Sequence, residues 1–159
     1  MPNQIVSISD FKVSDQDGDS LITYSLGSCI GMAVFDPVRK IGGMIHYMLP
    51  ASKISPDKAE KNPAMFADTG VPMLLNQLLH MGAQKGRLLI KVAGGAQLMD
   101  DNKVFNIGER NFLMLRKILW ANNLLIKGQD VGGAKARTLK LEIATGRVTV
   151  RSAGTEVEL

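Results

Sequence analysis

Hydrophobic and polar positions change period several times along the chain, and each change marks an element. Residues 14–20 (SDQDGDS) are wholly polar and read as a turn. Residues 21–35 (LITYSLGSCIGMAVF) are rich in β-branched and aromatic side chains, with Gly27 and Gly31 inside. They predict two short strands, or one strand broken near Gly27. Asp36-Pro37-Val38-Arg39 is a turn, because Asp suits the first position and Pro the second of a type I turn. Residues 40–49 (KIGGMIHYML) read as the return strand, which Pro50 ends because it has no N–H to give a ladder.

Beyond Pro50 the pattern turns polar. Residues 51–66, with two prolines, predict a long surface loop of the kind that is often functional. A helix is predicted over 68–81, capped by Asp68 or Thr69 and stopped by Gly82. Val71, Leu74, Leu75, Leu78 and Leu79 form its core-facing stripe. Residues 86–93 predict a buried strand ended by Gly94-Gly95. A second helix spans about 109–122, a strand lies near 123–130, and a Gly132-Gly133 turn leads to a hairpin of 137–144 with 147–151. The elements predict an α/β layered domain with a mixed, largely antiparallel sheet and two main helices on one face.

Length and composition narrow the classes. At 159 residues the chain is expected to be a single domain over 1–159. One Cys excludes an intramolecular disulfide framework, a Cys-rich zinc site and a paired-cysteine redox motif. Two His leave little material for a His-based metal site. No basic-then-apolar leader opens the chain and no apolar run nears about 18 residues, so the expectation is a cytoplasmic protein not inserted in a membrane. Charge is uneven: residues 1–84 carry 6 basic and 8 acidic side chains, residues 85–159 carry 13 and 7. The basic residues are scattered, and few aromatics are available for base stacking. A solvated surface or an acidic protein partner is favoured over nucleic acid.

The candidate chemistry is Cys29 and His46. A two-residue loop in the Asp36–Arg39 turn pairs Val34 with Ile41, and continuing that register sets Cys29 opposite His46. Such partners share a face with Cβ atoms about 5 Å apart. An odd loop, or a bulge at Gly42-Gly43, would put them on opposite faces. A neighbouring imidazole activates a thiol that is otherwise a poor nucleophile at neutral pH. Equally, a lone Cys is commonly a small buried hydrophobe and a lone strand His a structural residue. His80, in the last turn of a helix, reads as structural. The glycine pairs read either as tight turns or as backbone approaching a substrate near the Cys; they form no phosphate-binding motif.

The run LGSCIGMAVFD (26–36) followed by GGMIHYMLP (42–50) resembles the CheD family of chemoreceptor glutamine deamidases. FADTG (66–70), KVAGGA (91–96), IGERN (107–111), DVGG (130–133) and TGRV (145–148) continue the resemblance in order over nearly the whole chain. Phe66 stands where the family often has Tyr. The resemblance implies Cys29 as nucleophile, His46 as general base and Thr23 as third member of the triad. It implies a layered α/β/β sandwich related to the cysteine-dependent deamidase toxins. It further implies a protein-glutamine glutaminase that acts on the cytoplasmic domain of methyl-accepting chemotaxis receptors through a thioester, with no metal or cofactor; whether glutamyl methyl esters, which share the acyl geometry, also react is left open. Binding and stimulation of the CheC phosphatase is the implied alternative, in which the chain is an interaction module.

Overall fold

The computed structural model describes residues 3–98 and 106–159. Among the described residues, ten strands form two five-stranded sheets. In the first, β1 (Asn3–Ile5), β3 (Ser20–Leu26), β8 (Arg137–Glu142), β9 (Val148–Ser152) and β10 (Thr155–Glu158) lie in that order. The second has the order β2 (Asp10–Ser14), β5 (Ile41–Tyr47), β4 (Ile30–Asp36), β6 (Leu89–Gly94) and β7 (Ile126–Val131). Among the described strand pairs, β1–β3 and β6–β7 are parallel and the rest antiparallel. The residue pattern predicted one sheet; the difference arises because the N-terminal strands and β10 are short, and the chain changes sheet within 21–35. The break near Gly27 carries it from β3 in the first sheet to β4 in the second.

Two apolar cores make this a three-layer structure. Alternate residues of β4 and β5 point to opposite faces. Met32, Val34 and Ile45 pack with Leu74 and Leu78 of α2 (Ala67–His80) and Leu115 and Leu119 of α3 (Ile107–Ala121). Ala33, Phe35 and Met44 face the other way, against Leu21, Leu26, Leu139, Leu141 and Val150 of the first sheet. Every residue of β4 and β5 is therefore buried. The sheet sandwiched between helices and a second sheet reads as a continuous apolar run, whereas β8, with one face open, alternates.

The expected helix over 68–81 begins at Ala67, and neither expected cap closes it. Asp68 instead accepts from the Ser52 amide and hydroxyl, each at 2.9 Å, and the Thr69 hydroxyl donates to the Pro63 carbonyl. Leu79 is 40% exposed, outside the stripe that Val71, Leu74, Leu75 and Leu78 complete. Residues 51–66, expected as a loop, hold α1 (Pro56–Lys61) between two single 3-10 turns, with Ala59 and Ala64 turned inward. Pro56 and Pro63 open helical turns here, where a missing N–H is harmless.

The turn between β4 and β5 is four residues, Pro37–Lys40, closed by the Lys40 amide on the Asp36 carbonyl. Asp36 is buried and accepts from the Val38 and Arg39 amides, from the Gln84 amide, and from Arg87 through two nitrogens. Burial pushes its carboxyl up, but the Arg87 guanidinium and these amides outweigh that and hold it well below the usual carboxylate range. Asp36 thus fixes the hairpin register and ties it to the strand-entry turn before β6. Asp36→Asn removes a buried, paired charge and is expected to lower unfolding stability by about 3 kcal/mol in urea titration; a change within about 0.5 kcal/mol would contradict this role.

Candidate functional site

The site forms where the chain crosses twice between sheets. Residues 6–9 link β1 to β2, and residues 27–29 link β3 to β4. Thr23 sits on β3 opposite Leu139, and a register shift between Thr23 and Leu26, with Ser25 at φ 59, turns both side chains inward. His46 lies on β5 and is 3% exposed. Between the sheets, the Thr23 hydroxyl and His46 Nδ1 are 2.7 Å apart. The same hydroxyl donates to the Val6 carbonyl at 2.6 Å.

This arrangement fixes the imidazole tautomer. A hydroxyl has one proton. Thr23 gives its proton to Val6, whose carbonyl can only accept, so it receives one from His46 Nδ1–H. Nε2 is then the nitrogen with the free lone pair. It is buried and has no hydrogen-bond partner among the described residues. Desolvation lowers the His46 pKa from 6.5 to about 4, so the imidazole is neutral at physiological pH.

Cys29 stands just before β4. The four-residue turn shifts the expected register by two, and Gly31, not Cys29, is the cross-strand partner of His46. The shift is even, so the shared face survives. Cys29 is partly buried and packs against the inter-sheet core, on the side where His46 points. Burial pushes the Tyr47 hydroxyl well up, and ionisation of nearby Cys29 would push it the same way. The structure thus joins Thr23 and His46 directly and brings Cys29 to the same face at the adjoining end of β4.

The glycines serve backbone approach. The Gly95 amide donates to the Cys29 carbonyl and the Ala96 amide to the Gly27 carbonyl, each at 2.9 Å. Gly94 has φ +114, and a β-carbon there would collide with the Cys29 carbonyl. One on Gly108 would strike the Gly95 and Ala96 carbonyls. Buried Arg137 donates to the Gly94 and Gly132 carbonyls and pairs with Asp130, which braces both loops.

The residue pattern missed two participants. The Val6 carbonyl is a backbone atom and leaves no trace in composition. Asn111 is fully buried and donates to the Ser28 and Met48 carbonyls. It had a signal: a polar residue leading the i, i+4, i+8 row of Leu115 and Leu119. His80 is exposed and distant in sequence from these residues. Among the described residues no group of three or more His, Cys, Asp or Glu is placed to hold a metal ion, and no helix is long and apolar enough to cross a membrane.

A family model described as "CheD chemotactic sensory transduction" matches residues 48–152. The chain is 53% identical over 154 residues to a "Probable chemoreceptor glutamine deamidase CheD 1" of Syntrophus aciditrophicus, covering 97% of this chain and 96% of that protein. It is 48% identical to a "Probable chemoreceptor glutamine deamidase CheD" of Solibacter usitatus, over 100% of this chain and 94% of that protein. A third relative, "Probable chemoreceptor glutamine deamidase CheD 2" of Anaeromyxobacter dehalogenans, is 41% identical over 92% of each chain.

The depressed His46 pKa sets a stability window. Between pH 6.5 and about 4 the unfolded chain binds a proton on His46 that the native chain refuses. Stability from this group is therefore complete above pH 6.5 and falls as pH drops toward 4. His46→Gln should remove that part of the slope in denaturant titrations across the window. An unchanged slope would show that burial does not hold the imidazole neutral.

Proposed function

The chain belongs to the CheD family, and we propose that it is a chemoreceptor glutamine deamidase. Its reaction converts glutamine side chains on the cytoplasmic domain of methyl-accepting chemotaxis receptors to glutamate, with release of ammonia. The names of its full-length relatives support the activity. The observation that supports these residues as its machinery is the buried Val6–Thr23–His46 chain of hydrogen bonds, which leaves Nε2 as the basic nitrogen.

In this reading Nε2 of His46 takes the proton of the Cys29 thiol as the sulfur attacks the carboxamide carbon. The low basicity of the buried imidazole favours transfer during attack over a preformed ion pair. The tetrahedral adduct collapses as His46 returns the proton to the departing nitrogen, leaving a thioester and ammonia. Nε2 then takes a proton from water, the hydroxide adds to the thioester carbon, and the thiolate leaves with the proton restored to sulfur. The balance is glutamine plus water to glutamate plus ammonia. Thr23 touches no reacting atom in these steps. It receives Nδ1–H, holds the tautomer and ring orientation, and stabilises the imidazolium that forms, as the third member of a triad does. The chemistry needs no metal or organic cofactor.

The test is mass analysis of a receptor cytoplasmic fragment before and after incubation. Wild type should convert specific glutamines from amide to acid. Cys29→Ala should abolish the conversion while the fold survives. Thr23→Val should lower kcat by about 10²-fold, the scale of losing one oriented proton-transfer group. Full activity in Cys29→Ala would overturn this reading.

A further inference from the structure

Asn111 is a buried polar side chain to which the mechanism above gives no task. It sits on α3 with no exposure, yet its side-chain amide donates to two main-chain carbonyls, Ser28 and Met48, at 2.9 Å each. Ser28 precedes Cys29, and Met48 lies two residues beyond His46. The two contacts therefore fall at the ends of the segments that bear the thiol and the imidazole.

The ladder explains why a side chain is needed there. Pairing between β4 and β5 ends at Ile30 and Tyr47. One step further the strands part. The Cys29 carbonyl turns to the Gly95 amide, and the Met48 and Leu49 amides both turn to the Met65 carbonyl. The Asn111 amide group enters this fork and bonds one carbonyl on each side. Its orientation is dictated by those two donors, because the reverse setting would place its oxygen against two carbonyl oxygens. Its Oδ1 is buried and has no partner among the described residues, a cost accepted in keeping both donors in the fork. The helix is locked at the same residue, since the buried Tyr47 hydroxyl donates to the Asn111 carbonyl at 2.6 Å.

We propose that Asn111 is a positioning residue of the reaction: its amide spans the fork between β4 and β5 and so sets the thiol of Cys29 against the imidazole of His46. This rests on the assignment of Cys29 and His46 as the reacting pair. Asn111 touches neither reacting atom; it acts through the Ser28–Cys29 peptide and the end of β5. A displacement of roughly 1 Å between reacting groups is enough to lower a rate about 10²-fold.

Asn111→Asp and Asn111→Leu separate a donor role from mere packing. A protonated carboxyl still gives one O–H to the fork. The ionised form gives none and faces two carbonyl oxygens, and burial beside them raises its pKa into an accessible range. The readout is kcat and KM for deamidation, as the ratio to wild type between about pH 5 and 8, in protein shown to be folded. His46, neutral down to about 4, does not titrate in that interval, and the ratio cancels the remaining groups. For Asn111→Asp, kcat should lie closest to wild type at the acid end and fall by about 10²-fold as the carboxyl ionises, with KM within about twofold. Asn111→Leu should be low throughout with no such slope. Should the Asp variant fail to fold, Asn111→Ser decides, with kcat expected to drop at least about tenfold at unchanged KM. Equal, pH-independent losses in the Asp and Leu variants, a change in KM alone, or kcat within about threefold of wild type would overturn the proposal. If wild type itself converts no glutamine while folded, the reading of the reacting pair falls, and this proposal with it.

Discussion

A 2.7 Å hydrogen bond between Thr23 on one sheet and His46 on the other is the contact on which the site depends. It is buried between two apolar layers, where an unpaired imidazole N–H or hydroxyl carries a heavy desolvation penalty. The imidazole N–H is satisfied through Thr23, whose own proton goes to the Val6 carbonyl. The Val6 carbonyl completes the chain and gives it a direction: proton from Nδ1 to Thr23, proton from Thr23 to Val6. Because all three come from different strands or crossings, sheet packing and proton placement are one problem, solved by one set of contacts.

The connectivity makes that solution possible. Two sheet-to-sheet crossings, at residues 6–9 and 27–29, deliver the Val6 carbonyl and the Cys29 thiol to the same region. The register of β5 decides which of its residues meets Thr23, and Asp36 fixes that register from the far end of the hairpin. A slip of one residue would turn His46 toward the helices and Ile45 or Tyr47 toward Thr23. At the near end, Asn111 and the glycines at 94, 95 and 108 let a helix and two loops close on Cys29 at backbone distance. Rigid elements thus set the site from three sides, and desolvation between them keeps the imidazole neutral.

Much of this was legible in the residues. The apolar runs around Gly31 and Ile45 read as strands, though cover on both faces was not read from them, and the parity of the turn kept Cys29 and His46 on one face even though the register moved by two. The two long helices were legible, α2 from its periodicity. What stayed hidden had physical reasons. Strands as short as β1 and β10 carry too few residues for a period to show. Proline helped to make 51–66 look like loop, although Pro56 and Pro63 stand where helical turns begin. The split into two sheets depends on where the chain crosses layers, which Gly27 permits but does not specify. Thr23 was reached through family resemblance alone; nothing in its local pattern distinguishes it from other strand threonines until the second sheet is placed over it.

The central claim is that this neutral imidazole carries its proton on Nδ1 and offers Nε2 as the base. Nitrogen-15 NMR of the two imidazoles, with His80→Gln to assign them, reads this directly across neutral pH. The account predicts for His46 a protonated Nδ1 and an unprotonated Nε2, with no conversion to imidazolium until the pH approaches 4. A proton on Nε2, or an imidazolium at neutral pH, would contradict it.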